Sequence, residues 1–336
     1  MAQIFSLRRS PELAVDFGTA NMRVVRRDGG VLFDEPSLCC FTRGDRSPTL
    51  VAAGSEAQAM VDRTPASLEV RRPLSRGVLQ DIDAARALLR YAMPRALGRE
   101  RYGAPRALFG VPADATQAER KALLTAASDA GLGPVRLVPE SFAAAIGADL
   151  PVYEPTGTMI VECGAGTTEI AVISLGGICL AHSVRTGGAA LNQAIADHLH
   201  FQHKFLIGDL TAEQIKRDLF THEADAADQP EDIEVKGRSL ASARPMSIRI
   251  SRSELVAVAE KHVAHIVEAV GETLGKTPPE LSRDIHDNGI ILAGGAAMPL
   301  LRDRIAAATG LPVSIADDPD HCVTRGLQQM LADPDR

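Results

Sequence analysis

The chain has 336 residues, enough for about two domains with a substantial core. Its 45% hydrophobic and 24% charged residues are the balance of an ordinary globular protein, and no apolar run reaches membrane-spanning length. A net charge of −7, the absence of tryptophan and an aromatic content of 4% argue against general nucleic-acid binding and against a stacking platform for single strands.

The N-terminus has no apolar core of a secretory signal. Residues 1–9 combine Ile4, Phe5 and Leu7 with Arg8 and Arg9, which reads either as a short amphipathic foot for an anionic membrane surface or as a frayed tail. Residues 13–33 read as strand–turn–strand–turn–strand, punctuated by Gly18 and by Asp28-Gly29-Gly30. A mixed stretch follows to about residue 76, with a short helix near 56–62 that Thr64-Pro65 ends. A helix at 82–97 and a buried strand at 107–112 come next. The helix at 116–130 opens on a capping box of Thr116 and Glu119 and has Gly131 past its end. A strand at 135–138 and a small-residue helix at 141–148 close the first half.

The second half begins after a turn at 154–157. Strands at 159–161, 170–173 and 178–180 repeat the opening of the first half, and helices at 189–203 and 211–220 follow. Residues 222–247 are acidic, alanine-rich and proline-bearing, so they read as loops around a short strand at 233–235. Ser251 and Glu254 predict a second capping box, opening a long helix to about residue 274 that Pro278-Pro279 breaks. A strand at 289–293, a helix at 298–309, a strand at 312–316 and a helix at 319–332 complete the chain. Two matching halves of mixed strands and helices mean an α/β protein with duplicated sheets.

Cys39, Cys40, Cys163, Cys179 and Cys322 are odd in number and have no C-x-x-C spacing, so they read as reduced, mostly buried thiols of a cytoplasmic protein. His198, His200 and His203 share one predicted helix, but only the last two are three apart. No cysteine or carboxylate set accompanies them in sequence, so the favoured reading is helix-surface histidines rather than a metal site.

One motif occurs twice. Residues 13–21 run from an apolar strand into Asp16 and the small-residue turn Gly18-Thr19-Ala20-Asn21; residues 159–169 repeat this with Glu162 and Gly164-Ala165-Gly166-Thr167-Thr168. The two align without a gap, Asp16 on Glu162, Gly18 on Gly164 and Asn21 on Thr167, and a third, related turn carries Gly294-Gly295-Ala296. Glycine admits close backbone approach, and exposed N–H groups in such turns make an anion-binding concavity. Two such hairpins face to face would grip a polyphosphate from both sides, between two similar domains.

These residues resemble the actin-like ATPase superfold, shared with heat-shock chaperones and sugar kinases, and within it the MreB family of rod-shape-determining bacterial actins. The resemblance covers nearly the whole chain. It is carried by Asp16-Phe17-Gly18-Thr19-Ala20-Asn21, Glu35-Pro36-Ser37, Arg72-Pro73-Leu74 and Gly77-Val78-Leu79-Gln80-Asp81. Residues 143–148 with Leu150-Pro151, the run 164–177, residues 277–281, and Asp318-Pro319 with Cys322-Val323 continue it in the family's order.

The resemblance implies two duplicated ribonuclease-H-like domains around a nucleotide cleft. An N-terminal tail would occupy 1–11, domain I 12–148 with a small subdomain at about 34–78, and domain II 149–336 with a small subdomain at about 188–250. Asp16, Gly18, Thr19, Ala20 and Asn21 would form the first phosphate loop and Glu162 to Thr168 the second, followed by Gly187 and Gly188. Gly294, Gly295 and Ala296 would approach the α-phosphate and sugar. Glu213 and Lys216, three apart on a helix face, read on their own residues as a solvated face, but they match the family's adenosine contacts. Glu140 falls where the family places the residue that orients the attacking water, with Asp16 and Glu162 holding Mg2+ through water. Read on its own residues, Glu140 is also compatible with a buried helix-start glutamate.

Several positions depart from the usual family pattern. Glu162 stands for an aspartate, Ala165 for a glycine, Met22 for a threonine, Ala189 and Asn192 for two aspartates, and Ala296 for a third glycine. Backbone N–H groups hold a polyphosphate regardless, whereas hydrolysis depends on finer positioning. The expectation is therefore an ATP-binding, slowly or conditionally hydrolysing cytoskeletal protein, peripheral on the inner face of the cell membrane. It would self-associate head to tail into filaments and engage membrane-bound cell-wall elongation proteins. The alternatives are a non-polymerising or hydrolysis-deficient scaffold and, further off, a phosphotransferase or chaperone of the same superfold.

Overall fold

A computed structural model describes residues 13–27, 30–44, 48–98, 104–220 and 231–333. The N-terminal foot expected at 1–11 lies outside the described residues. In chain order the first half contains β1 (Leu13–Phe17), β2 (Asn21–Arg26), β3 (Gly30–Pro36), β4 (Cys39–Thr42), β5 (Leu50–Ala53), α1 (Ser55–Ala59), β6 (Leu68–Arg71), β7 (Leu74–Ser75), β8 (Val78–Leu79), α2 (Ile82–Leu97), β9 (Ala107–Val111), α3 (Gln117–Asp129), β10 (Val135–Pro139) and α4 (Glu140–Gly147). The second half contains β11 (Thr158–Cys163), β12 (Thr168–Ser174), β13 (Gly177–Val184), α5 (Gly188–His203), β14 (Phe205–Leu206), α6 (Asp209–Phe220), β15 (Asp232–Ser239), β16 (Pro245–Ser251), α7 (Arg252–Lys276), α8 (Pro279–Asn288), β17 (Ile290–Ala293), α9 (Pro299–Thr309), β18 (Val313–Ile315) and α10 (Cys322–Ala332), the last preceded by a 3-10 turn at Pro319–His321.

The duplication read from the motifs is a duplication of topology. One five-stranded sheet runs β3-β2-β1-β9-β10 and the other β13-β12-β11-β17-β18. In each, an antiparallel hairpin is followed by parallel strands, and the hairpin registers correspond: Asp16 lies opposite Arg23 in the first and Glu162 opposite Glu169 in the second. Strands β1, β11 and β12 are buried along their whole length, as expected of strands covered on both faces.

Helices α4 and α10 lie between the two sheets. Their Ala143, Ala144, Ala145, Leu327 and Leu331 pack with Ala14 and Leu108 of the first sheet and Ile160, Ala171 and Ile173 of the second. The helices can approach closely only because Gly147 and Gly326 face each other's backbone: a Cβ on Gly326 would strike the Ala143 carbonyl, and one on Gly147 the Cys322 carbonyl. Backbone cannot rotate aside, so Gly326→Val is expected to destabilise the fold by the ~1–3 kcal/mol of an overpacked core or more. A denaturant midpoint equal to that of the parent chain would contradict this packing.

Three expectations need correcting. Of residues 222–247, expected as loops around a short strand at 233–235, the part up to residue 230 lies outside the described residues, and the rest forms a longer hairpin, since β15 and β16 pair over seven residue positions from Asp232–Ser251 to Arg238–Pro245. Charges on the open face of this hairpin (Asp232, Glu234, Lys236, Arg238) hid the strand signal, while Val235 and Ile250 point into the core. Helix α8 was missed because Ile285 is its one buried residue, too few for a helical period to show. The capping box at Ser251 does not form: the Ser251 side chain makes no cap bond, and Glu254 turns instead toward α5. The box at Thr116 does form, with the Glu119 carboxylate accepting from the Thr116 N–H and the Thr116 hydroxyl accepting from the Glu119 N–H.

Candidate functional site

A cleft of about 440 Å³ opens where the ends of β1, β11 and β17 meet. The first turn, Gly18 to Asn21, is braced by Ser37, whose hydroxyl donates to the Gly18 carbonyl (2.7 Å) and whose N–H donates to the Ala20 carbonyl (2.7 Å). The second turn closes through the Gly164 N–H on the Thr167 carbonyl (2.9 Å). Helix α5 starts against it, the N–H groups of Gly188 and Ala189 donating to the carbonyls of Gly164 (3.0 Å) and Ala165 (2.9 Å). The two turns meet at Gly77: its N–H donates to Thr19 Oγ1 (3.2 Å), and a Cβ on Gly166 would run into both groups. The third turn folds at Gly294, where φ is +90°, and the Ala296 N–H reaches the Cys163 carbonyl (2.9 Å). Glycine is required at 294, because a side chain would be strained in that conformation and would strike the Cys163 carbonyl.

Four carboxylates converge beneath these turns. Asp16 is buried, accepts from Thr324 Oγ1 (2.9 Å) and lies 3.8 Å from Arg23 Nη1. Arg23 also pairs with Asp34 (3.1 Å) and Asp320 (2.5 Å). Burial nevertheless holds the Asp16 carboxyl above its ordinary range, against the pull of Arg23 and Thr324. Among the described residues Glu162 has no such cation, because Glu169 occupies the register position that Arg23 holds in the other hairpin. Its carboxyl is pushed well up by burial and then by the charges of Glu169 and Asp16. Glu169 accepts from the N–H groups of Ala113 (2.8 Å) and Ser141 (3.3 Å), and burial raises it too. Glu140, half-buried at the first position of α4, is raised well above the usual range by burial and then by Glu169 and Glu162.

Each half thus supplies a helix start to the other half's hairpin. Thr324 of α10 reaches Asp16 of β1, and Glu140 and Ser141 of α4 stand at Glu162 and Glu169 of β11 and β12. The carboxyl oxygens of Asp16, Glu140 and Glu162, buried or half-buried and raised above their ordinary range, make a donor set that fits a hard divalent cation.

At the far side of the cleft Glu213 accepts from Asn192 Nδ2 (2.5 Å), Lys216 Nζ (2.9 Å) and Arg217 Nε (3.1 Å). Burial works against its ionisation, but the Lys216 charge and these bonds more than reverse that and hold it down to about 2. Lys216 also donates to the Gly188 carbonyl (3.3 Å), tying α6 to the start of α5.

The MreB/Mbl protein family matches residues 10–336. The chain belongs to that family. It is 40% identical to the cell shape-determining protein MreB of Escherichia coli (strain K12) over 322 residues, 94% of this chain and 92% of that protein. It is 36% identical to the cell shape-determining protein Mbl of Bacillus subtilis (strain 168) over 326 residues, 97% of each. Among solved structures it superposes on MreB5 of Spiroplasma citri bound to ADP with a TM-score of 0.88 and 30% identity, covering 96% of each chain. A double helical filament of MamK shares the fold, at a TM-score of 0.75 and 22% identity over 95% of this chain and 97% of that one. The fold is therefore the actin-like ATPase fold, and this MreB-like protein is cytoskeletal; the phosphotransferase, chaperone and scaffold readings are not favoured. Among the described residues no helix is long and apolar enough to cross a membrane.

Most residues singled out in the sequence line the cleft: Asp16, Gly18 to Asn21, Glu140, Glu162, Gly164 to Thr167, Gly188, Glu213, Lys216 and Gly294 to Ala296. Thr168 and Gly187 stand behind it. Thr168 is fully buried and donates to the Thr186 carbonyl (2.7 Å), and Gly187 packs under Ala165. Sequence reasoning missed Arg23, Glu169, Thr324 and Asp320. The hairpin register carried a signal for the first two, since a two-strand turn folding at Gly18 or Gly164 sets Arg23 and Glu169 opposite the acidic residues. Nothing local marks Thr324 or Asp320, which arrive from the other end of the chain.

The raised Glu162 gives a pH prediction. A carboxyl raised in the folded state adds stability below its ordinary range and loses it as pH rises from there through the folded value. Nucleotide-free Glu162→Gln protein should therefore melt a few degrees above the parent chain at neutral pH and show no gain near pH 4. Equal melting temperatures at neutral pH, by scanning calorimetry, would overturn this account.

Proposed function

We propose that the cleft binds ATP with Mg2+ and hydrolyses it slowly, and that the bound nucleotide biases assembly into membrane-associated filaments that organise cell-wall synthesis. The observation that carries the reading is the pair of glycine turns on two sheets of one topology, meeting at Gly77 with Glu140 between them. MreB5 of Spiroplasma citri, similar over 96% of this chain, has been solved with ADP and with AMPPNP.

In this reading the N–H groups of residues 18–21 and 164–167 cradle the phosphates from the two sides, and Gly294 to Ala296 close against the α-phosphate and sugar. Glu213 and Lys216 receive the adenosine. Asp16 and Glu162 would hold Mg2+. The cation would neutralise charge on the phosphates and draw the buried carboxyls into their ionised form. Glu140 accepts a proton from the water that attacks the γ-phosphorus as the bond to the leaving ADP oxygen breaks. Glu162, one methylene longer than aspartate, and Ala165 would loosen this positioning, which is why the turnover proposed here is slow. The two sheets would belong to domains at 12–148 and 149–336, and closing them on nucleotide would change the end surfaces through which copies stack.

Sedimentation with negative-stain microscopy, with and without Mg-ATP and anionic liposomes, tests the proposal. Filaments that require ATP, enriched on anionic vesicles, are expected. ATP binding without assembly under any of these conditions would overturn the filament reading, and failure to bind ATP would overturn the site.

A further inference from the structure

We infer that His198, His203 and Glu254 form a binding site for a divalent transition metal of the zinc class, separate from the nucleotide cleft. The two histidines close the last turns of α5, and Glu254 stands in the first turn of α7, more than fifty residues on. Both imidazole Nε2 atoms point at one carboxylate oxygen, Glu254 Oε1, at 2.6 Å from His198 and 2.5 Å from His203. One potential ligand atom from each residue lies within 4.8 Å of the other two. Ligands at zinc-like bond lengths of about 2.0–2.2 Å stand some 3.3 Å apart at tetrahedral angles, so an outward shift of under about 1 Å admits an ion. The rings are already inclined to each other, at 60° with centroids 5.9 Å apart.

The donor chemistry selects the metal. Two neutral imidazoles and one carboxylate suit Zn2+, Co2+ or Ni2+; Mg2+ and Ca2+ prefer all-oxygen shells. Three protein ligands leave a fourth position for water, and the side chains are about a fifth to a third exposed, so the site is open to exchange with solvent. The placement of Glu254 is itself informative: it is spaced to complete a capping box with Ser251, yet its carboxylate leaves the helix start and turns to the imidazoles. The site would clip α5 to α7, the helices that precede and follow the strands of the small sheet β14-β15-β16 in the chain. Helix α5 starts at Gly188, so His198 and His203 sit roughly 15–22 Å along it from the glycine turn at its other end.

The test uses the full chain with the exposed Cys179 replaced by serine, which removes a competing thiol, in excess Mg2+ to occupy the cleft carboxylates. Calorimetric Zn2+ titration should show one site whose affinity falls at least ~10-fold in His203→Gln and in Glu254→Gln, since even an outer partner of a metal ligand is worth that much. Nucleotide affinity should not change. His200→Gln is the control, because His200 stacks on Phe201 outside the cluster. In the unsubstituted site, Co2+ should give the visible band of a four-coordinate ion, and Zn2+ should protect His198 and His203, but not His200, from diethylpyrocarbonate; this readout stands even if a variant fails to fold. Zn2+ affinity in the two variants equal to that of the parent chain, or no protection of His198 and His203, overturns the inference.

Discussion

Glu140→Gln is expected to lower the rate of ATP hydrolysis by ~10²–10⁴-fold, the usual worth of a positioned general base, while nucleotide affinity stays nearly unchanged. Pro139 precedes Glu140 with φ −60°, and Glu140 opens α4, so the backbone that carries the carboxyl is held firmly. Gly110 on β9 makes room for it: a Cβ there would come within 3.1 Å of Glu140 Cγ. Burial and the neighbouring Glu169 and Glu162 raise its carboxyl well above the ordinary range. A raised carboxyl gains its base form only as pH rises, so turnover of the parent chain should climb with pH along an acid limb that the glutamine variant lacks. Single-turnover hydrolysis across pH measures both. A variant that keeps the parent rate, or the parent pH limb, would remove Glu140 from the chemistry and leave it as a helix-start residue.

Gly166→Val should weaken nucleotide binding by about 10–100-fold. A Cβ at this position would sit 2.5 Å from the Gly77 nitrogen and 3.1 Å from the Arg76 carbonyl carbon, as well as against the Thr19 hydroxyl. The hydroxyl can rotate away, but the backbone of residues 76–77 cannot. The two phosphate turns would be held apart at the point where the Gly77 N–H now donates to Thr19. Overpacking of this kind costs ~1–3 kcal/mol, and each 1.4 kcal/mol is tenfold in affinity. Equilibrium binding of a fluorescent ATP analogue measures it, with circular dichroism to show that the variant is folded. Unchanged affinity in a folded variant would mean that the turns do not close on the ligand together.

The fold was legible wherever the signal was local. Glycine punctuation and apolar runs marked the hairpins of both halves, and the capping box at Thr116 marked the start of α3. The matching motifs around Asp16 and Glu162 announced the duplication, which the two sheets bear out strand for strand. Where an element buries little of itself the signal failed: α8 carries one buried residue, and β15 turns a charged face outward. Capping motifs also compete with tertiary partners. Ser251 and Glu254 have the spacing of a box, but two imidazoles outbid the helix terminus for the carboxylate.

The site divides in the same way. Sequence by itself determined the glycine turns and the acidic residue that ends each leading strand, because each is a contiguous segment whose residue types are set by close backbone approach; the Glu213–Lys216 pair was legible only through the family resemblance. Only the tertiary structure decided what surrounds the carboxylates. Asp16 receives Arg23 across its hairpin, Thr324 from α10 and, through Arg23, Asp320, whereas Glu162 meets Glu169 and Glu140 and, among the described residues, no cation partner. A carboxyl's charge state depends on burial and on neighbours within a few ångströms, and those neighbours come partly from the facing strand of the same hairpin and partly from the opposite half of the chain. The same holds for His198 and His203, whose carboxylate stands about fifty residues away in sequence and 2.5–2.6 Å away in space.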